Sequence, residues 1–350
     1  MNIPTLHSHY SKLNNLLYIS YIPRVINAAI EIQLFELLSK NDFSLTYSKQ
    51  DFTLDAIATK LGTQKNVTQA LLKVLEKIGL VSIENDTYNL TILAEEYLVQ
   101  SSEACQINGI QQFDGSKGPF DYILQALKNE RPKFDDTMWN TKEASINMEQ
   151  GMKAGGLQGV ISFVKGIPEF ASCSKMCDLA GNVGYFTYAF LHENSNLQAN
   201  VYDLPEVCEN AKELKQYEPD FNRVTYHGFN MKNEDDFGSG YDFFFISHYL
   251  YEYGARNELV DFLKRVNKAM KPGGIFVSNH ICDNAMDKES ELTLALVELH
   301  TRILGYPTHQ LPESVLKTAL TEAGFENFTV QQPDGSYAFS TMLLAARKKA

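Results

Sequence analysis

A glycine-rich turn in the second half of the chain is the first segment whose residues could bind a ligand. Asp178-Leu-Ala-Gly-Asn-Val-Gly184 lies between a predicted strand and a predicted helix, where glycine lets a ligand approach the backbone closely. The dinucleotide pattern G-x-G-x-x-G would require glycine at 179, 181 and 184, and Leu179 breaks it. The turn is therefore not expected to bind a pyrophosphate, and the acidic Asp178 favours a cationic ligand.

A second carboxylate, Asp203, ends the next predicted strand, about 20 residues after Gly184. An acidic residue at this spacing is placed to accept hydrogen bonds from the two hydroxyls of a ribose. Together the turn and Asp203 predict a ribose-bearing ligand with a cationic or amino-acid end.

The elements that must position these carboxylates alternate between strands and helices after Ser174. Such alternation predicts a doubly wound, mostly parallel α/β sheet that binds ligands at the carboxyl ends of its strands. Two final strands, Phe325–Gln331 and Ala338–Ala346, are joined at Pro333-Asp-Gly335 as a terminal antiparallel hairpin. The other predicted strands are Met176–Leu179, Gln198–Asp203, Val224–Phe229, Tyr241–Ser247 and Gly274–Ser278, and the helices are Tyr185–His192, Pro205–Lys215, Glu258–Met270, Glu289–Leu304 and Pro312–Ala323.

The first part of the chain predicts a mainly α domain. Residues Asn15–Leu38 are apolar nearly all round, which predicts a helical region that is deeply buried or lies in an interface. Two short helices and a hairpin follow, and this order is typical of a winged helix: Thr53–Gly62, Asn66–Ile78, then Leu80–Glu84 and Thr87–Thr91 around the turn Asn85-Asp86. We therefore expect a winged-helix domain at 1–100, a helical connector that lines the substrate site at 101–175, and the α/β domain at 176–350. The connector is predicted to contain the helices Phe120–Leu127 and Ile146–Val164.

Composition narrows the class of protein. The chain has 350 residues and a formal net charge of −12, which disfavours a nucleic-acid surface and binding to anionic membranes. Its five cysteines are irregularly spaced, so neither a disulfide framework nor a metal site is expected. There is no signal-peptide pattern and no run of 18 apolar residues, and a cytoplasmic location is the expectation.

These residues resemble the class I S-adenosylmethionine-dependent methyltransferases. The chain is most similar to the small-molecule O-methyltransferase family whose plant members methylate phenolics and whose bacterial members modify polyketides. Asp178–Gly184 looks like the first motif of that family, Val201-Tyr-Asp-Leu-Pro-Glu-Val207 like its ribose motif, and Lys271-Pro-Gly-Gly274 like the loop before its fifth strand. The winged helix resembles the family's dimerisation domain, which implies a homodimer.

The resemblance implies S-adenosyl-L-methionine as the cofactor and assigns residues to it. Asn230-Met231 stands where the family holds the adenine, and an asparagine amide can still bond an adenine edge. The residues expected to bind the cofactor are Asp178, Gly181, Asn182, Gly184, Asp203, Leu204, Asn230, Met231 and Ser247.

The catalytic base is where the sequence departs from the family. The family carries a histidine after the fourth strand, and spacing puts Tyr251 at that position. Tyr251 and the adjacent Glu252 are therefore catalytic candidates. Tyrosine holds its proton near neutral pH, so His248, about one helical turn earlier, and His280, at the end of the fifth strand, are the alternative bases.

Three residues are expected to face a small-molecule acceptor: Met152 in the connector, His300 on a predicted helix, and His309 in the loop that caps the acceptor pocket in the family. His280, His300 and His309 could converge on a metal, but no carboxylate spacing supports a metal site and none is predicted.

O-methylation of a small, aromatic acceptor is the favoured function. Because Tyr251 replaces the usual histidine, C-methylation, N-methylation or a relative that binds the cofactor without methylating are the alternatives. A winged-helix DNA-binding regulator is a minor alternative, since the lysines of its second helix, at 65, 73 and 77, are scattered and interrupted by Glu76.

Overall fold

The computed structural model describes residues 7–39, 52–112, 118–130, 139–231, 236–335 and 339–349. It separates into two compact units, Met1–Gly118 and Pro119–Ala350. The predicted domain boundaries at 100 and 175 stay a prediction.

The first unit is mainly helical, with one hairpin. Its predicted Asn15–Leu38 helix is interrupted twice, because Pro23 lies in the first turn of a new helix and Gln33 adopts a left-handed backbone (φ 60°) that ends it. The elements are α1 (Ser11–Ile19), α2 (Ile22–Glu31), α3 (Leu34–Ser39), α4 (Leu54–Leu61), α5 (Lys65–Lys77), β1 (Val81–Glu84), β2 (Thr87–Leu90), α6 (Ile92–Leu98) and α7 (Ile107–Gln112).

Local signals explain the helices and hairpin that the winged-helix prediction required. The Thr53 hydroxyl accepts a hydrogen bond from the Ala56 N–H at the start of α4, and Gly62 ends that helix with a φ of 64°. Asn85 and Asp86 both adopt positive φ (50° and 61°), as a two-residue turn between antiparallel strands demands. The lysines of α5 pair with acids of the same unit, Lys65 with Asp55 and both Lys73 and Lys77 with Glu76.

The second unit is an α/β layer structure. The predicted helix spanning 146–164 is divided at Gly155, which has a φ of 101° and begins a new helix. The elements are α8 (Ile123–Leu127), α9 (Lys142–Met152), α10 (Gly156–Lys165), β3 (Lys175–Leu179), α11 (Tyr185–Glu193), β4 (Gln198–Asp203), α12 (Pro205–Lys215), β5 (Val224–Gly228), β6 (Tyr241–Ser247), α13 (Leu250–Ala255), α14 (Leu259–Ala269), β7 (Met270–Ile281), α15 (Lys288–Leu304), α16 (Glu313–Glu322), β8 (Phe325–Gln331) and β9 (Thr341–Lys348).

The seven strands of the second unit form one sheet in the order β5-β4-β3-β6-β7-β9-β8. Neighbours from β5 to β7 are parallel, and β9 runs antiparallel to both β7 and β8. This confirms the predicted mostly parallel sheet with a terminal antiparallel hairpin. The predicted fifth strand was too short: β7 begins at Met270, which pairs with Tyr241, and a register shift between Tyr241 and Phe243 accommodates the Lys271–Gly274 segment as a bulge.

Strand β6 is buried on both faces, as a central parallel strand should be. On one face Phe243 and Phe245 each lie with ring centroids 5.0 Å from Phe190 of α11. On the other face Phe244 stacks on Phe276 of β7 at 6.3 Å. This aromatic packing holds β6 in place between the two layers. The candidate site lies at the carboxyl ends of β6 and its neighbouring strands.

At the amino end of β6, opposite the strand ends that carry the candidate site, Asp242 contacts three segments. Its carboxylate accepts hydrogen bonds from the Ser174 N–H, the Ser174 hydroxyl and the Lys175 N–H, and pairs with the Lys271 ammonium at 2.7 Å. Burial alone would raise the pKa of Asp242, but these donors outweigh it and lower the pKa to about 2.

We expect Asp242→Asn to lower the free energy of unfolding by about 1–2 kcal/mol at neutral pH. Because the folded-state pKa is depressed, this stability is present above the unfolded-state value near 4 and is lost as pH falls toward about 2. Urea unfolding from pH 7 to pH 2 measures it. Asp261→Asn, at an exposed pair with Lys264, is the control and should change stability little; equal acid sensitivity in the wild type and Asp242→Asn would contradict the prediction.

Candidate active site

The turn between β3 and α11 is held in an unusual backbone conformation. Ala180, Asn182 and Gly184 have φ values of 58°, 50° and 79°, so three of its residues are left-handed. The Ala180 N–H donates to the Tyr202 carbonyl of β4 at 2.8 Å, which ties the turn to the neighbouring strand. A Cβ atom at Gly181 would lie 2.7 Å from the Asp178 Cγ and 2.8 Å from the Val201 Cγ1. Only glycine therefore fits where the turn crosses over β3 and β4.

Asp178 lies beneath this turn, and the expectation that it faces a cationic ligand stays a prediction. Its side chain is 2% exposed and accepts a hydrogen bond of 2.6 Å from the Thr187 hydroxyl of α11. Burial raises the pKa of Asp178 to about 7, although the Thr187 hydroxyl acts in the opposite direction. Asp178 thus links β3 to α11 and sets the position of the turn between them.

Asp203 lies at the carboxyl end of β4, beside the turn. One carboxylate oxygen accepts the Asn182 N–H and the other accepts the Leu204 N–H, both at 2.8 Å. Burial raises the pKa of Asp203 to about 6 against the effect of these two donors. A carboxylate can accept about four hydrogen bonds, so acceptor capacity is left for the two hydroxyls of a ribose.

The other cofactor candidates follow the ends of the adjoining strands. Asn230 and Met231 come after β5 and are half-buried, and Met231 packs against the core on the α14 face of the sheet. The Ser247 hydroxyl at the end of β6 accepts a hydrogen bond of 3.0 Å from the Asn279 amide of β7. Strands β5, β4, β3 and β6 are parallel neighbours in the sheet, so these residues lie together at its carboxyl-terminal edge, where the strands end.

This edge fits S-adenosylmethionine by the chemistry of its groups. Asp203 is a half-buried carboxylate with free acceptor sites, the turn at Gly181 has no side chain between backbone and ligand, and Asn230 offers an amide after the next strand. Asp203 with Leu204 would hold the ribose, and Asn230 with Met231 would hold the adenine.

Tyr251 lies in α13, directly after β6, and is 9% exposed. Its ring stacks on the imidazole of His309, with centroids 4.3 Å apart and planes 22° from parallel. Burial and the charge of Glu252 raise the pKa of Tyr251 above its usual range, so the phenol holds its proton more tightly than in water. Tyr251 is therefore suited to shape the site and poorly suited to accept a proton.

Glu252, the catalytic candidate next to Tyr251, forms an ion pair within its own helix, and its catalytic role stays a prediction. Its carboxylate is buried and forms an ion pair of 2.7 Å with Arg256 one turn later in α13. A carboxylate held in this way orders the short helix that carries Tyr251.

His248 and His280 both lie near the carboxyl ends of the central strands. His248 has a positive φ of 51°, and its N–H donates to the Asn279 carbonyl at 2.7 Å. Burial, followed by the neighbouring His309 and His280, lowers the pKa of His248 to about 3. His280 is 1% exposed, lies 3.4 Å from the Ser278 hydroxyl through Nδ1, and has a pKa that burial lowers to about 4. Both imidazoles are neutral at pH 7.

The three residues predicted to face the acceptor do not all meet. Met152 ends α9 and packs against the core formed by α10, α11 and one face of the sheet. His300 lies 5.7 Å from the ring of Phe120, and His309 stacks on Tyr251. Among the described residues no group of three His, Cys, Asp or Glu side chains could hold a metal ion.

Two residues of α15 were missed by sequence reasoning. The Thr301 hydroxyl lies 3.2 Å from the Nδ1 atom of His309, and Glu298 accepts hydrogen bonds from the His309 N–H and the Thr308 hydroxyl, both at 3.1 Å. These bonds fix the 305–310 loop against the helix. No sequence pattern marks Glu298 or Thr301, because both act across a loop closure that spacing does not reveal.

Comparison with known proteins adds two family matches. Residues 130–326 match the model of an O-methyltransferase domain, and residues 14–100 match that of an O-methyltransferase dimerisation domain. Together they cover most of the chain and fall on the sheet unit and on the N-terminal helices.

Individual relatives are more distant. A protein of Methanocaldococcus jannaschii described as uncharacterized is 28% identical over 260 residues, which span 73% of this chain and 65% of that protein, just under two thirds of its length. Acetylserotonin O-methyltransferase of Macaca mulatta is 22% identical over 347 residues, covering 94% of this chain and 96% of the relative. The crystal structure of human N-acetylserotonin methyltransferase in complex with SAM covers 100% of both chains with a TM-score of 0.72 at 17% identity, which shows a shared fold.

No helix in the described part of the chain is long and apolar enough to cross a membrane.

Proposed function

This chain belongs to the O-methyltransferase family and is an S-adenosylmethionine-dependent methyltransferase, and from that premise we propose that it methylates a hydroxyl group on a small, planar aromatic acceptor. The observation that carries the proposal is the aromatic wall beside the cofactor edge. Tyr251 and His309 form its stacked centre, and His248 lies 6.4 Å from His309. The imidazoles are neutral, so the wall offers flat, polarisable faces and weak proton acceptors.

The names of relatives point to the same class of acceptor. The macaque relative is named for acetylserotonin, a hydroxyindole, which is a flat aromatic ring that carries one hydroxyl group. A hydroxyindole or a phenol would lie against Tyr251 with its hydroxyl toward the imidazoles.

The residues divide the work of the reaction between binding and orientation. The bound cofactor supplies a methyl group on a positively charged sulfur. Asp203 anchors the ribose, the Gly181 turn lets the cofactor lie on the backbone, and the aromatic wall holds the acceptor in line. Holding two reactants in this way removes the entropic cost of bringing them together, which in model systems is worth about 7–11 kcal/mol.

Methyl transfer is tested with purified protein, methyl-labelled S-adenosylmethionine, and a set of hydroxyindoles, catechols and matched aromatic amines. We expect label on the oxygen of at least one phenolic acceptor, identified by mass spectrometry and by the methyl chemical shift. Label on carbon or nitrogen with none on oxygen would overturn the O-methylation proposal and favour the C- or N-methyltransferase alternative.

A homodimer is consistent with the dimerisation-domain match, and we propose that α1 forms part of its interface. None of its residues is buried, and its apolar side chains are 52–68% exposed: Leu13, Leu16, Leu17, Tyr18 and Ile19. An exposed apolar helix face of this kind is usually covered by another protein surface. The cytoplasmic location stays a prediction.

We therefore expect Leu13→Lys combined with Leu17→Lys to shift the protein from dimer to monomer at micromolar concentration. Two charges placed in an apolar contact remove burial energy and add a desolvation cost. Analytical ultracentrifugation measures the change. Asn15→Lys adds a charge to the same exposed helix and should leave the dimer intact; a dimer that survives the double change would rule out α1 as an essential interface.

A further inference from the structure

His309 is the residue at which the candidate catalytic side chains meet. Its ring stacks on Tyr251 at 4.3 Å and lies 6.4 Å from the ring of His248. Its Nδ1 atom is 3.2 Å from the Thr301 hydroxyl of α15. His309 therefore lies against the position at which the family carries its histidine, although it comes from a loop that follows α15.

The other candidates are less able to take a proton from an acceptor. His280 is 1% exposed, so an acceptor cannot reach it without a rearrangement of the core. Tyr251 holds its proton, and Glu252 is engaged with Arg256. The backbone N–H of His248 donates to the Asn279 carbonyl, which holds this residue at the strand end, and burial together with the neighbouring His309 and His280 lowers its pKa to about 3. His309 is partly exposed and reachable.

We propose that His309 is the general base of this enzyme and takes the hydroxyl proton of the acceptor at the face of Tyr251, in place of the missing histidine. The inference rests on the proposed function, because it needs an acceptor with an ionisable hydroxyl. It assigns the base to a residue on the 305–310 loop and leaves Tyr251 as the surface against which acceptor and base are aligned.

The hydrogen bonds of the loop are those that a positioned base requires. Thr301 is buried, and its hydroxyl lies within hydrogen-bond distance of Nδ1. In the tautomer that the inference requires, Nδ1 carries the proton and donates it to the Thr301 oxygen, which leaves the lone pair on Nε2 for the acceptor. The backbone N–H of His309 donates to Glu298 at 3.1 Å, which prevents the loop from sliding along α15.

The titratable groups around His309 come from every element packed against it. Glu298 and His300 lie on α15, His248 follows β6, Tyr251 lies on α13, and His280 lies at the end of β7. Burial lowers the pKa of His309 to about 4, Glu298 acts to raise it, and His300 acts to lower it. The imidazole is thus unprotonated and available near neutral pH.

The step balances without a further reactant. The acceptor O–H bond breaks as its proton moves to Nε2, and the oxygen electron pair forms a bond to the methyl carbon. The carbon–sulfur bond breaks with its electron pair left on sulfur, which becomes neutral. The imidazolium of His309 then returns the proton to solvent.

The test uses 4-nitrocatechol as the probe and His309→Gln as the variant, with the full chain and S-adenosylhomocysteine present. The visible absorption of the nitrophenolate reports whether the bound phenol is ionised, and it requires no turnover. The phenolate anion raises the pKa of the imidazole beside it, so we expect the bound phenol to ionise at a lower pH in the wild type than in His309→Gln. At a pH between the two midpoints, phenolate is bound in the wild type and neutral phenol in the variant. With weakly acidic phenols as acceptors, kcat should fall by about 10²- to 10⁴-fold, the contribution of a general base.

Two further variants keep the result interpretable. His192→Gln removes an exposed imidazole from α11 and should retain both the absorption signal and the rate. Thr301→Val keeps His309 but removes its hydrogen-bond partner, and it should shift the acidic limb of the pH profile of kcat/KM while leaving cofactor affinity within about 3-fold.

Each outcome decides the matter. Phenolate that persists in His309→Gln overturns the inference. If it also disappears in Tyr251→Phe, the base is Tyr251. No bound phenolate in the wild type also overturns it, whatever the labelled-methyl experiment shows. A signal that depends on His309 without transfer of label to any oxygen supports the base and overturns the proposed O-methylation alone. If His309→Gln does not fold, an unchanged pH profile in Thr301→Val counts against the inference.

Discussion

Replacing Asp203 with asparagine is expected to weaken the binding of S-adenosylmethionine by about 10- to 100-fold. The carboxylate accepts the Asn182 and Leu204 N–H groups at 2.8 Å and is left to accept the ribose hydroxyls. Hydrogen bonds to a charged group are each worth about 1.5–3 kcal/mol. An amide keeps only one acceptor oxygen, so either the Asn182 N–H or a ribose hydroxyl loses its partner. Calorimetric titration with S-adenosylhomocysteine measures the loss.

The pH dependence of binding gives a second measurement of the same residue. Burial raises the pKa of Asp203 to about 6, so the carboxylate is charged at pH 7 and becomes protonated below about pH 6. Cofactor affinity should therefore fall as pH decreases through this range in the wild type and not in Asp203→Asn. Glu206→Gln, at an exposed position in the first turn of α12, is the matched control. A dissociation constant within about 3-fold of wild type for Asp203→Asn would exclude Asp203 as the ribose ligand.

The second large effect is expected from Gly181→Ala. The added Cβ would lie 2.7 Å from the Asp178 Cγ, 2.9 Å from its Oδ2 and 2.8 Å from the Val201 Cγ1. Both neighbours are buried and cannot turn aside, so the turn itself must move. Overpacking of this kind costs about 1–3 kcal/mol, and a displacement near 1 Å can cost about 100-fold at a functional site. Urea unfolding and cofactor titration of one preparation measure both effects.

Gly151→Ala is the matched control for that substitution. A Cβ there meets no atom within 4 Å, and the residue lies inside α9. Alanine is favoured over glycine in a helix by about 0.5–1 kcal/mol, so the control should be slightly more stable than wild type with unchanged cofactor affinity. If Gly181→Ala binds the cofactor as tightly as Gly151→Ala does, the turn at 181 does not carry the cofactor.

Much of the sheet unit could be predicted from the sequence because its local signals agree with its packing. Two strands and one helix have the bounds that were predicted: Gln198–Asp203, Tyr241–Ser247 and Pro205–Lys215. A proline begins the helix, and apolar runs mark the strands. A break at Pro23 was predicted, but α2 and α3 were fused because Gln33 carries no signal for the left-handed conformation it adopts. Here packing in the unit decides the backbone, and local preference does not.

The site was predictable at strand ends and unpredictable across loops. Asp203 followed from its place after β4. The burial of Asp178 depends on a hydrogen bond to Thr187 in the next helix, and no spacing rule shows which way the carboxylate turns. The stacking of His309 on Tyr251 joins segments that are far apart in sequence. A histidine absent from its expected position and supplied from another element can only be recognised once the chain is folded.

The position of β9 governs how this protein can be made. The strand lies between β7 and β8, and its residues Met342, Leu343, Leu344, Ala345 and Ala346 are fully buried. A ribosome delivers β7 and β8 first, so the sheet has an open, apolar slot until residues 341–348 have left the exit tunnel. An unpaired apolar edge is a template for aggregation. Translation that pauses or terminates before residue 341 therefore yields an aggregation-prone intermediate. Expression at low temperature or with added chaperones should raise the recovery of native enzyme.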